Sequence, residues 1–342
     1  MAAEKENKET KTKKLADPMA ATIDIASRQM IERAHELGIE TAFDRAVTMK
    51  PCNIGTQGIC CKNCGMGPCR LPLPKGGIEG EDTRKGICGA TPNTIAARNF
   101  IRMIAGGAAA HSDHGRSVAE VFMSAARKET DAYKIKDTRK LLEVAQWLGV
   151  DTTVEVDDKQ LDRDTDEIAV EVGEKALNEW GKAEGELLFA KRAPEARYEI
   201  WKKQGVVPRN IDREIVEIMH RTHIGVDQDY KNLMKQGTRA AIADGWGGSM
   251  LATELQDILF GTPYPVASEA NLGVMKEDMV NIVIHGHEPV LSEMIVAVVQ
   301  TKEMEEYARS KGARGIQLSG ICCTANEMLQ RHGVPLCGTF LQ

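Results

Sequence analysis

Six of the chain's nine cysteines fall between Cys52 and Cys88, in PCNIGTQGICCKNCGMGPCRLPLPKGGIEGEDTRKGICG. A loop this rich in thiols, glycine and proline cannot build an ordinary apolar core, so something must cross-link it. Disulfides would do so, but they belong to small secreted domains. This 342-residue chain instead opens MAAEKENKETKTKK, without an apolar signal segment. Metal is the better reading, and spacing narrows the kind. Cys61, Cys64 and Cys69 put three thiolates on one tight loop, where Gly65 and Gly67 would let it bend and aim backbone N–H groups at cluster sulfurs. Cys88 closes a four-thiolate set from beyond a Gly/Pro-rich loop. A structural zinc site would show two paired CxxC knuckles. One knuckle with a compact third ligand points to a cubane [4Fe–4S] cluster.

Cys52 and Cys60 remain. Adjacent residues point apart, so Cys60 and Cys61 would serve different clusters. Two cysteines make half a ligand set, and a two-fold homodimer would bring the other half to its axis. The expectation is a second, inter-subunit [4Fe–4S] cluster on Cys52 and Cys60 from both chains. The plain alternative is a pair of buried thiols.

The length allows two domains, and a hydrophobic content of 42% is enough for real cores. A net charge of −6 and few aromatics argue against a nucleic-acid partner. No apolar run reaches the length of a membrane span, and clustered metal thiolates suit a reducing cytoplasm. Residues 1–18 are Lys/Glu-rich and read as a disordered tail. A helix is expected from Pro18 through Ile23, Ile25, Met30, Ile31 and Ala34, stopping at Gly38. A second starts at Thr91-Pro92 and runs through Ile95, Phe100, Ile101 and Ile104, loosened at Gly106 and Gly107. Further stripes follow at Val118–Ala125, Ile168–Leu177 and Ile215–Met219, and the acidic stretch Asp157–Asp166 reads as a solvated loop and helix start. Trp180, Trp201 and Trp246 read as core or boundary residues. Residues 19–258 therefore form an expected all-helical domain that holds the cysteine loop.

Near Leu259 the pattern changes. Met279–Ile284 reads as a buried strand, Leu291–Ser310 as a helix, Gly315–Leu318 as a strand, Ala325–Arg331 as a helix and Val334–Leu336 as a short strand. Strand–helix–strand alternation predicts parallel βαβ units, so residues 259–342 are the start of a Rossmann-like α/β domain. No GxGxxG follows the first strand, and nucleotide binding has no local support. In open α/β sheets ligands gather beyond the carboxyl ends of the strands. His285 and His287 follow the first strand, and Cys322 and Cys323 the second, so both pairs should end on one rim. Buried thiols and a strand-capping histidine are the plain alternative. His111 and His114, at i and i+3, would share a helix face; as two surface or core histidines they need no function.

GICCKNCGMGPCR, with Cys52 eight residues ahead of Cys60 and a later GICGA, resembles the N-terminal part of the anaerobic nickel–iron carbon monoxide dehydrogenases. HGHEPVLSEMIV from His285 and GICCTANEML from Gly320 stand where that family has further motifs, and the likeness runs from about Ala42 to Gln342. The resemblance implies a cytoplasmic homodimer oxidising CO with water to CO2, two protons and two electrons. It implies a subunit cubane on Cys61, Cys64, Cys69 and Cys88, a shared cubane on Cys52 and Cys60, and a Ni–Fe–S cluster with His287 and Cys323 among its ligands. Cys322 would be a weaker ligand candidate, and Cys337 a buried thiol. His111 and His114 would begin a proton relay, although Ser117 and Glu120 stand where the family's histidine series often continues. A ferredoxin-like carrier would take the electrons, and an acetyl-CoA synthase partner stays open. Family chains are nearly twice this long, with further cluster ligands placed beyond Gln342. A fragment or truncated product without the complete active cluster is therefore expected. The alternatives are a hybrid-cluster enzyme reducing hydroxylamine, or an electron-transfer module without turnover.

Overall fold

A computed structural model of the chain describes residues 15–156, 159–287 and 289–338. Of the tail expected at 1–18, residues 1–14 lie outside the described residues. Ala16 is buried, and its N–H donates to Asp44 Oδ1 at 2.7 Å. The first helices are α1 (Pro18–Ala21), α2 (Ile25–Glu36) and α3 (Ala42–Thr48). The single helix expected from Pro18 is broken before Ile25, because the Asp24 carboxylate caps α2 by accepting from the Ser27 N–H. Its apolar positions are no core stripe: Ile23 is 91% exposed, and only Ile31 is buried.

The cysteine loop follows, with a two-residue antiparallel ladder between β1 (Cys60–Cys61) and β2 (Cys69–Arg70). It leads into α4 (Pro92–Ala126), 35 residues long. Thr91 caps this helix by accepting from the Thr94 N–H, and Pro92 suits the first turn. Contrary to the expected loosening, α4 runs straight on through Gly106 and Gly107. Ile101, Ala105, Ala108, Val118 and Phe122 are buried along it, and this packing outweighs the low helix propensity of two glycines.

Next come α5 (Thr138–Leu148), β3 (Thr153–Val156), β4 (Lys159–Asp162), α6 (Thr165–Gly181), α7 (Glu195–Gln204), α8 (Ile211–Arg221), α9 (Tyr230–Ala243) and α10 (Met250–Phe260). Helices α6, α8, α9 and α10 all pack on α4. Phe122, Leu141, Val144, Ile168, Val172, Leu187, Ile211 and Leu255 form one buried cluster there. The all-helical expectation is too strong, because β3 pairs antiparallel with β4, and β4 lies within the stretch read as a loop and helix start. Asp157 and Asp158 lie outside the described residues. All of β4 is exposed, so its ladder hydrogen bonds, not burial, hold it in place.

Beyond α10 lies a parallel sheet ordered β5 (Val280–His285), β6 (Ile316–Ile321), β7 (Leu336–Gly338), with α11 (Pro289–Val299), α12 (Lys302–Ser310) and α13 (Cys322–His332). The one helix expected over 291–310 is two, since the Thr301 hydroxyl caps α12 by accepting from the Met304 N–H. The strand expected to be buried has Val280 and Val283 each 40% exposed, because β5 stands at the edge of this three-stranded sheet.

One close approach fixes what faces the middle of α4. Asp244–Ser249, between α9 and α10, is a π-helical segment that packs on α4. A Cβ built on Gly115 would lie 2.7 Å from the Gly248 carbonyl oxygen and 2.8 Å from Trp180 Cζ2. Gly115→Ala should therefore cost about 1–3 kcal/mol by overpacking. Gly106→Ala, with nothing within 4 Å, should add roughly 0.5–1 kcal/mol of helix stability. Urea midpoints at unchanged slope measure both, and equal midpoints for the two variants would contradict this packing.

Candidate functional site

The ladder between β1 and β2 sorts the cysteines. Cys61 stands opposite Cys69, and Cys60 opposite Arg70. Cross-strand partners share a face and adjacent residues take opposite faces, so Cys61 and Cys69 point one way and Cys60 the other. Cys61, Cys64, Cys69 and Cys88 all line one enclosed pocket, which neither Cys52 nor Cys60 enters. Cys61 is buried, Cys64, Cys69 and Cys88 are half-buried, and all four are free thiols. Gly67 is required by close approach: an added Cβ would lie 2.9 Å from the Cys61 carbonyl oxygen. Its N–H donates to the Cys64 carbonyl at 3.2 Å, so it is not aimed at a sulfur, as the sequence reading had it. Helix α4 clamps the loop from below, with Asn99 Nδ2 donating to the Gly58 and Cys60 carbonyls at 3.1 Å each.

Cys88 is the most heavily solvated by protein donors. Arg98 Nη1 donates to its Sγ at 3.5 Å, Gln228 Nε2 to its Sγ at 3.8 Å, and Gln228 Nε2 to its carbonyl at 2.8 Å. Burial pushes this thiol up, but the donors, led by Arg98, outweigh it and leave the Cys88 pKa below the usual thiol value. Cys52 is exposed, and the Gly55 and Ile54 N–H groups lower its pKa too.

The second constellation forms where the end of β5 meets α4. His285 pairs with Ile321 in the parallel register, so the residues after each strand share one rim. The Thr324 N–H reaches the Gly286 carbonyl at 3.4 Å across it. Cys322 sits at φ +69°, a left-handed conformation uncommon for a residue with a Cβ. That turn starts α13 three residues earlier than expected and leaves Cys323 exposed. Burial, then Cys323, raises the Cys322 pKa. His287 stacks on His111 with ring centroids 4.6 Å apart and meets His114 edge-on at 4.4 Å. His287 Nε2 is buried without a hydrogen-bond partner. Such an orphaned nitrogen fits a metal donor, since an unpaired buried polar atom is otherwise costly. Cys337, expected to be a plain buried thiol, is 1% exposed with Sγ 3.5 Å from the Gly320 carbonyl oxygen.

Among the described residues, no three His, Cys, Asp or Glu side chains close on a point as one mononuclear ion would require. The four thiols stand around one pocket.

Comparison with known proteins matches this chain to one family. The profile of the Prismane/CO dehydrogenase family covers residues 59–342. The chain belongs to that family. It is 51% identical over 323 residues to carbon monoxide dehydrogenase 1 of Methanosarcina acetivorans, covering 94% of this chain and 49% of that one. It is 44% identical to the carbon monoxide dehydrogenase/acetyl-CoA synthase subunit beta of Moorella thermoacetica, covering 93% and 46%. The crystal structure of nickel-free carbon monoxide dehydrogenase from Thermococcus sp. AM4, produced without CooC maturase, superposes with a TM-score of 0.84 at 48% identity. That match covers 95% of this chain and 50% of that one. The chain thus spans about half the length of the relatives it matches.

Within this Prismane/CO dehydrogenase chain, sequence reasoning missed the residues that hold the histidines. Asp244 Oδ1 lies 2.6 Å from His111 Nδ1, and Ser249 Oγ 3.1 Å from the same nitrogen. Gln256 Nε2 lies 3.2 Å from His114 Nε2. The available signal was the glycine cluster in DGWGGS, which marks a close backbone approach of the kind π-helical segments make near functional sites. The Asp244 hydrogen bond raises the His111 pKa above its ordinary value despite burial. Burial, with His287 and His111 nearby, holds His114 down to about 4.

These shifts have opposite signs in a titration. His114 should stay neutral down to about pH 4. Its folded pKa lies below the unfolded one, so its contribution to stability falls as pH drops from about 6.5. Asp244→Asn should move the His111 midpoint toward acid and leave His114 low. Histidine ring-proton NMR checks both, and an unmoved His111 would refute the Asp244 contact.

Proposed function

We propose that this chain forms the cluster-bearing part of a cytoplasmic, homodimeric, anaerobic carbon monoxide dehydrogenase that interconverts CO and water with CO2, two protons and two electrons. The observation that carries this reading is the sorting of thiols on β1 and β2, with four in one pocket and Cys60 turned away. Membership of the family, with relatives named carbon monoxide dehydrogenase, supports CO chemistry over hydroxylamine reduction.

Cys61, Cys64, Cys69 and Cys88 would hold a [4Fe–4S] relay, and Cys52 with Cys60 half of a cluster shared with a second copy. His287 and Cys323 would anchor the Ni–Fe–S cluster at the rim of β5 and β6. When bound, that cluster supplies Lewis-acid activation of CO and water and first accepts the electrons. The chain's own part is to place two imidazoles of unequal proton affinity beside it. Asp244 occupies His111 Nδ1, so His111 exchanges protons at Nε2. His114, whose Nε2 accepts from the Gln256 side-chain amide, stays neutral and carries its proton on Nδ1, from which it can be passed on. Both rings contact His287, which supports a relay starting at the candidate ligand itself. Residues 19–258 act as the cluster-carrying domain and 259–342 as the α/β domain that presents His287 and Cys323. A ferredoxin-like protein would accept the electrons. The name of the Moorella relative makes an acetyl-CoA synthase subunit a further candidate partner.

Anaerobic metal analysis tests the cluster assignments. Cubane stoichiometry predicts roughly six iron atoms per chain from these two clusters, four in the chain's own and half of a shared one, with the iron of a bound Ni–Fe–S cluster in addition. Cys64→Ser should remove about four of these and Cys60→Ser about two. Iron unchanged by Cys60→Ser would rule out the shared cluster. CO-dependent reduction of a viologen dye by the same wild-type protein tests the reaction. A nickel- and iron-loaded protein that leaves the dye oxidised would overturn the CO reading.

A further inference from the structure

We propose that Arg98 sets the reduction potential of the cluster held by Cys61, Cys64, Cys69 and Cys88, acting through the Cys88 sulfur. This rests on the reading of those cysteines as cluster ligands. Arg98 is among the largest fully buried side chains, at 1% exposure. It lines the thiol pocket, with Nη1 on Cys88 Sγ at 3.5 Å and Nη2 on the Asp227 carbonyl at 2.7 Å. Its Nε is buried without a partner. No carboxylate pairs with it among the described residues, whereas the comparably buried Arg331 is matched by Asp257 and Glu327.

A buried guanidinium retains its charge and needs an anion. Among the described residues, the candidate it faces is the thiolate pocket. A four-thiolate iron–sulfur cluster is anionic, and more so after it gains an electron. A fixed cation and an N–H donor on one of its sulfurs therefore favour the reduced form and raise the potential. Gln228 supplies a second, uncharged donor to the same sulfur from the Asp227 loop. Arg98 also ties that loop to α4 through the Asp227 carbonyl, so a purely structural role is the competing account.

An EPR-monitored reductive titration of the anaerobic protein separates the two, because a structural tie would not move a potential. The cluster's signal is identified by its loss in Cys64→Ala. Arg98→Gln, at full iron occupancy, should shift the midpoint to more negative values. The expected size is at least a tenfold change in the oxidised-to-reduced ratio at fixed potential, about 59 mV for a one-electron couple. Arg98→Lys, which retains the charge, should recover most of that shift. An unchanged midpoint in Arg98→Gln would overturn the proposal. Should glutamine cost the cluster altogether, the lysine variant decides. A cluster with near wild-type potential supports the proposal, and a cluster lost in both assigns Arg98 a structural role. A wild-type protein with no Cys64-dependent signal would instead refute the cluster reading itself.

Discussion

Both candidate centres hang on one rigid element, helix α4, and its packing sets where they stand. Its first turns hold the cysteine loop through Asn99 and reach Cys88 through Arg98. Its middle presents His111 and His114 to His287. From Arg98 to His111 the helix advances about 20 Å at 1.5 Å per residue. The Thr91 cap starts the helix, and the close fit of Gly115 under Gly248 seats its middle. Neither centre can shift along α4 without unpacking a buried stripe that runs from Ile101 to Phe122.

Around that helix the two centres use opposite electrostatics. At the thiols, burial and N–H donors surround sulfur, and one unmatched guanidinium faces the pocket, so negative charge is favoured there. At the histidines, burial and mutual proximity disfavour positive charge on His114 and His287, while Asp244 restores it on His111 alone. Such separation suits the proposed reaction, in which electrons and protons would leave by different routes.

Much of this was legible in the sequence because thiol spacing and strand ends carry geometry with them. The shared rim of His287 and Cys323 followed from strand–helix–strand alternation, and the register of His285 with Ile321 agrees with it. The divergence of Cys60 and Cys61 followed from adjacency, and a two-residue ladder enforces it. What stayed hidden depends on contacts distant in sequence. Asp244 meets His111, and Asp227 and Gln228 meet the Cys88 region, only once α8, α9 and the following segments pack on α4. Apolar periodicity also misled near the N-terminus, where Ile23 and Ile25 face outward and none of the described residues buries them. Likewise the break between α11 and α12 came from one capping threonine that a continuous apolar pattern concealed.

The central claim is that Cys61, Cys64, Cys69 and Cys88 hold a cubane and not a single ion. Iron K-edge X-ray absorption on the anaerobically purified protein tests it most directly. A cubane predicts sulfur-coordinated iron with a strong iron–iron scattering shell, and that shell should shrink in Cys64→Ser. Iron in four-sulfur coordination without an iron–iron shell, or zinc at full occupancy in its place, would contradict the claim.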